Sequence, residues 1–164
     1  MKPSQTLTHP FPPTWDRNSE ILILGSFPSV KSREMMFFYG HPQNRFWRVM
    51  AAVFEQDYPE TVEERRVFLL RNRVAAWDVI AGCTIAGSSD SSIRDVSVND
   101  LSPILEGAPI RKILVNGQKA GNLYQKYTQP RTGRAAVVLP STSPANAAWS
   151  LERLISVWKK ELLS

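Results

Sequence analysis

The sequence predicts a three-layer α/β/α sandwich with a four-stranded, mainly parallel central sheet. Three observations predict it. Four short apolar runs, "ILIL" (21–24), "VAAWDVI" (74–80), "KILV" (112–115) and "AAVVL" (135–139), are dense enough to be strands buried on both faces. Helical patterns lie between them. Strands alternating with helices build a parallel sheet covered on both sides.

Taken in order, residues 1–20 read as an extended arm, with Pro3, Pro10, Pro12 and Pro13 close together. Residues 21–164 read as one domain, the usual size for a chain of 164 residues. After the first strand, Phe46, Trp47, Met50, Val53 and Phe54 share a helical face, with His41 expected as its cap and Pro42 as its first residue. Further helices are predicted over 59–70, 99–107 and 117–127. The last is expected over 144–163, where Leu151, Leu154, Ile155, Trp158 and Leu162 form a stripe, capped by Ser143 and opened by Pro144.

Composition narrows the function. Hydrophobic residues are 43% and charged residues 21%, ordinary for a globular protein. No apolar run is long enough for a bilayer, and the N-terminus lacks a signal-peptide core, so a cytoplasmic monomer is expected, with no membrane partner. Cys83 is the only cysteine and there are two histidines, which leaves little scope for zinc; no metal and no cofactor are expected. Neither a dinucleotide fingerprint, a P-loop nor a nucleophile elbow is present. The segment 78–95 carries three aspartates among serines, but its spacing matches no cation loop. The net charge is +5, and Gly107 to Leu151 holds no acid while carrying Arg111, Lys112, Lys119, Lys126, Arg131 and Arg134. Such a tract favours a polyanion, most simply nucleic acid.

In parallel sheets ligands bind at the carboxyl ends of strands. All four exits here are small and polar: "GSFPSV", "DVIAGC", "NGQKA" and "PSTSPAN". "LPSTSPAN" holds hydroxyls and backbone N–H groups between prolines, and it is read as opening a helix whose N-terminus favours a phosphate.

"GSFPS", "FYGHPQNRFWRV" and "LPSTSPAN", in that order, resemble the motifs of the uracil-DNA glycosylase superfamily. "HPQNRFW" is similar to the mismatch-specific uracil/thymine enzymes, and the serine-rich pair to the hypoxanthine-DNA glycosylase branch. The resemblance runs from about Ile21 to Asn146. It implies that a damaged base is flipped out of DNA and cut from its sugar by water, leaving an abasic site. Hypoxanthine is the implied base. A uracil or mismatch-specific glycosylase is the first alternative, a non-catalytic nucleic-acid-binding module the second, and a small-molecule nucleosidase a third.

The resemblance also suggests roles. Relatives use an Asp or Asn of the first motif to hold the water, but Phe27 stands there in this chain. Asn44 is therefore expected to be catalytic, with Ser26 and His41 as weaker candidates. Tyr39 is expected to stack on the base, a contact worth about 1–3 kcal/mol. Phe38 and Phe27 are the neighbours expected to share or replace that role, with Phe37 and Phe38 otherwise read as core. Gly25 and Ser26 give the backbone close approach, Gln43 reads a base edge, and Asp78 orients pocket donors. Asn116 and Gly117 form a turn near the phosphates. Ser141, Thr142 and Ser143 grip the backbone beside the lesion. Pro144, Ala145 and Asn146 supply a weak wedge, suited to a base that already pairs poorly. No lysine occupies an expected catalytic position, so hydrolysis without a lyase step is expected.

Overall fold

The computed structural model describes residues 5–85 and 94–164. Four strands, β2 (Ile21–Gly25), β3 (Val74–Asp78), β6 (Lys112–Asn116) and β7 (Val137–Leu139), form a parallel sheet in the order β3-β2-β6-β7. Ile21 pairs with Val74 on one side and Lys112 on the other, which brings Gly25, Asp78 and Asn116 together at the carboxyl edge. All five residues of β2 and of β3 are buried, the reason these strands read as unbroken apolar runs.

A second sheet was not foreseen. β1 (Gln5–Thr8), β4 (Ile80–Ile85) and β5 (Arg94–Val98) form an antiparallel sheet in the order β1-β4-β5. The arm therefore supplies a strand, and Leu7 lies opposite Cys83. The arm continues along the edge of the parallel sheet, where Thr14 exchanges backbone hydrogen bonds of 3.0 and 2.9 Å with Ala76. The 74–80 run divides at Val79: its N–H bonds to the Gly25 carbonyl, and the chain leaves one sheet for the other. Asp90, one of the three aspartates in 78–95, lies outside the described residues.

The helices are α1 (Val30–Met35), α2 (Phe46–Phe54), α3 (Val62–Arg71), α4 (Ser102–Gly107), α5 (Gln118–Leu123), α6 (Gln129–Thr132) and α7 (Leu151–Leu162). A π-helical turn over Tyr124–Thr128 joins α5 to α6. α2 packs on α7, and Phe46 meets Trp158 edge to face at 5.9 Å. Trp158 also donates its Nε1–H to the Pro140 carbonyl, anchoring the loop after β7.

Helix starts fall later than the sequence expectation: α3 begins at Val62 instead of Pro59 and α4 at Ser102 instead of Asn99, and two larger shifts bear on the site. α2 begins at Phe46, not Pro42, because residues 41–45 form a turn: the Asn44 N–H bonds to the His41 carbonyl and the Gln43 N–H to His41 Nδ1. His41 caps that turn, not the helix. α7 begins at Leu151, not Pro144; Ser150 caps it by accepting from the Arg153 N–H. The helix-dipole argument for a phosphate at "LPSTSPAN" therefore falls, since the dipole acts within the first turn.

Among the described residues, no helix is long and apolar enough to cross a membrane. No group of three His, Cys, Asp or Glu residues there is placed to hold a metal ion.

Candidate active site

A cavity of about 400 Å³ opens at the carboxyl edge of the parallel sheet, in the size range of small-ligand sites. Gly25, Ser26 and Phe27 line it from the first strand exit, Tyr39 and Asn44 from the corner before α2, and Asp78 and Asn116 from two further exits. Ser141, Thr142, Ser143 and Ala145 close it from the loop after β7. Phe38 also lines it, as do three residues that sequence reasoning did not place there, Pro28, Ser29 and Ser32. His41, Gln43, Gly117, Pro144 and Asn146 are not on its wall.

A polar chain links two of the exits to the corner before α2. Asn116 and Thr142 bond reciprocally: the Thr142 N–H donates to Asn116 Oδ1, and Asn116 Nδ2 donates to Thr142 Oγ1, each at 3.0 Å. The Thr142 hydroxyl then donates to Asn44 Oδ1 at 2.9 Å. The same oxygen accepts the Phe46 N–H at 2.9 Å, at the head of α2. A backbone N–H can only donate, so the Asn44 oxygen is fixed on this side, and its amide N–H₂ is the part not committed to this chain.

Arg45, absent from the sequence candidates, clamps the same loop. Its guanidinium donates to the carbonyls of Ser143 (3.1 Å), Asn146 (3.0 Å) and Trp149, and its backbone N–H to the Thr142 carbonyl (3.0 Å). Planar donors suited to several carbonyls at once explain why arginine fits here and lysine would not. Within the loop, Ser141 Oγ accepts the Ser143 N–H and Ser143 Oγ accepts the Ala145 N–H. These hydroxyls hold the loop's own shape.

Gly25 is a glycine because of its neighbours. A Cβ there would lie 2.5 Å from Asp78 Oδ1 and 3.1 Å from the Tyr39 hydroxyl, so the missing side chain lets both sit over the strand end. Gly117 turns the chain from β6 into α5 with φ +97°. Tyr39 itself has φ 51°, a left-handed conformation that costs a non-glycine residue about 1–2 kcal/mol. Its neighbours hold it there: the Gly40 N–H bonds to Ser32 Oγ at 2.8 Å, and Trp47 Nε1–H bonds to the Phe38 carbonyl at 3.2 Å. One face of the Tyr39 ring stacks on Phe46 at 4.1 Å. Among the described residues its buried hydroxyl makes no hydrogen bond of good geometry, though the Asn116 side chain lies near it. Burial, and next the negative charge of Asp78, hold the phenol far above its ordinary range.

The other residue missed is His9. The arm carries it to Asp78, with Nε2 at 2.7 Å from Oδ2 and both side chains at most 5% exposed. Phe11, Phe27, Phe38 and Trp77 surround the ring. No spacing in the sequence links residues 9 and 78; only the β1–β4 pairing does. The sole cysteine offers no nucleophile here: Cys83 is buried on β4, and that burial raises its thiol.

The acid-free tract is partly spent on structure. Arg111 pairs with Glu20 and Lys112 with Glu161, while Arg134 donates to the Ile110 carbonyl.

Comparison with known proteins agrees with this geometry. Residues 12–162 match the model of the uracil DNA glycosylase superfamily. The chain belongs to that superfamily. A hypoxanthine DNA glycosylase of Methanosarcina acetivorans is 39% identical over 145 residues, covering 87% of this chain and 90% of the relative. One of Methanosarcina barkeri is 36% identical over 150 residues, covering 90% and 93%. The solution NMR structure of a candidate uracil DNA glycosylase from Methanosarcina acetivorans superposes with a TM-score of 0.81 at 37% identity, covering 96% and 97% of the two chains.

Proposed function

We propose that this protein is a DNA glycosylase that hydrolyses hypoxanthine from DNA, flipping the deoxyinosine nucleotide into the cavity and leaving an abasic site. One observation carries the reading: the corner "GHPQN" and the loop "LPSTSPAN" are joined through Asn44 and Thr142 at the wall of a base-sized cavity. The names of the two relatives, hypoxanthine DNA glycosylases, support this base in preference to uracil.

In this reading Asn44 steers the attacking water. The Thr142 hydroxyl can rotate, so the lone pair it engages on Asn44 Oδ1 can pass to a water. Thr142 keeps its place through the backbone N–H bond to Asn116. A neutral amide positions the nucleophile, and the oxocarbenium character of the sugar makes a strong base unnecessary. Phe38, Tyr39 and Phe27 offer aromatic surface to the base. The loop over Ser141–Asn146, held rigid by Arg45, meets the DNA backbone beside the lesion.

The test is a panel of duplex oligonucleotides carrying hypoxanthine, uracil, xanthine or mismatched thymine, with alkali cleavage of abasic products. Hypoxanthine is expected to be excised fastest. A faster reaction on uracil or mismatched thymine would replace the proposed substrate, and no reaction on any would leave a binding module.

A further inference from the structure

We propose that Asp78 is the residue that recognises deamination: its carboxylate accepts the ring N–H that deamination creates, and His9 of the N-terminal arm positions it for that purpose. This rests on the glycosylase reading above and names the feature of the base that the site selects.

The chemistry starts from the bases. Adenine presents a bare acceptor at N1. Replacing its amino group by a carbonyl shifts the ring to the lactam form, and N1 becomes an N–H donor. The same change occurs at N3 when cytosine becomes uracil. A group that can only accept therefore separates the damaged base from its parent at one atom. An ionised carboxylate is such a group, whereas hydroxyls and amides can switch roles.

Asp78 is the carboxylate on the cavity wall. Gly25 makes room for it: Oδ1 lies 2.5 Å from where a Cβ would stand. Its other oxygen, Oδ2, is held by His9 at 2.7 Å. That oxygen can only accept, so the ring donates Nε2–H. Among the described residues, His9 Nδ1 is enclosed without a hydrogen-bond partner. The backbone of Asp78 is fixed as well, since Asn99 Nδ2 donates to its carbonyl at 2.8 Å. Among the described residues, His9 meets the carboxylate directly, the Tyr39 phenol, which burial keeps protonated, lies beside it, and the Arg33 guanidinium stacks on Phe27 next to His9. The result is an acceptor locked in one orientation at the floor of a base-sized pocket. Against adenine it meets the N1 lone pair, which repels it. Guanine carries the same N1–H, so its rejection falls to whatever meets its 2-amino group.

His9 sets the direction of the test. In Asp78→Asn, the His9 N–H would draw the amide oxygen to the Oδ2 place, turning the amide N–H₂ to the base. The acceptor becomes a donor at unchanged volume. The wild-type protein is expected to excise hypoxanthine at least about 10⁴-fold faster than adenine, as sites built around a substrate N–H do. Asp78→Asn should narrow that ratio by about a hundredfold, while affinity for abasic product DNA stays unchanged. His9→Leu should narrow it too, and His9→Gln, which keeps a donor, should restore most of it. A structural role for His9 would lower excision of every base and product binding together.

A second measurement avoids changing the acceptor. With Asn44→Ala, so that chemistry drops out, DNA carrying 1-deazahypoxanthine should bind at least about tenfold more weakly than DNA carrying hypoxanthine. Equal affinities there, or an unchanged ratio in Asp78→Asn, would overturn the proposal. If the wild-type protein excises no hypoxanthine at all, the glycosylase reading fails first, and this inference with it.

Discussion

In the parallel sheet, every residue of β2 and β3 is buried, whereas β5 of the antiparallel sheet alternates between exposed and half-buried positions. The first sheet is held by burial on two faces. The second is held by pairing, with bulges between β4 and β5 and a strand borrowed from the arm. The contrast teaches where each half of the site comes from. The buried sheet gives a fixed floor of strand ends: Gly25, Asp78 and Asn116. The exposed sheet brings a distant side chain, His9, to that floor.

Truncations to alanine in the two sheets are the most direct way to break this contrast. Ile23→Ala, at a position with no exposure, is expected to cost about 2–5 kcal/mol in urea unfolding. Val98→Ala, half-exposed on β5, is expected to cost under about 1 kcal/mol. Similar losses would mean that β5 depends on burial as much as β2 does.

Asn44→Ala tests the floor's chemistry without touching its packing. Excision should fall at least about a hundredfold, as it does when one positioned polar group leaves a catalytic site. Binding to abasic DNA should remain. An excision rate equal to wild type would remove Asn44 from its role.

Arg45→Met tests the link between corner and loop. Three carbonyls lose their donor, a cost of about 1–3 kcal/mol in thermal unfolding, and product DNA should bind more weakly because the loop loosens. A variant that melts lower but binds DNA unchanged would make Arg45 a purely stabilising residue.

Tyr39→Phe gives a pH signature. The folded state holds the phenol protonated above the ordinary value of 10.0, while the unfolded chain releases its proton there. Stability should therefore fall as pH rises past 10, by about 1.4 kcal/mol per pH unit from this group alone. The Phe variant should lose that slope, and an unchanged slope would place the phenol in water.

The same contrast explains what the sequence could show. Runs such as "ILIL" and "KILV" are apolar because both faces are covered, so four strands, their order along the chain and the exits that hold the cavity were legible. β5, "RDVSV", has no apolar run and no clean alternation, and β1, on the other side of β4, sits in a stretch full of prolines. Its pairing is a long-range event with no local signal. Helix starts were read too early at Pro42 and Pro144 because proline is equally at home in a turn; side chains at His41 and Ser143 then bonded within those turns instead. Asn44 and Thr142 were chosen on separate motifs, but their hydrogen bond spans 98 positions and only folding reveals it. Arg45 carried no signal at all, since three carbonyl partners leave no trace in composition.

The stretch of arm at Thr14 also bears on how crowded molecules of this protein behave. It covers the outer backbone of β3, one of the two open rims of the parallel sheet. At the opposite rim, β7 exposes Val137 and Val138, a sticky pair for another chain. That rim is only three residues long and ends at Pro140, which has no N–H to offer a newcomer. With one border occupied and the other too short to template a partner, the sheet resists growing into its neighbours. A chain trimmed of its first fifteen residues should precipitate at concentrations the whole protein tolerates.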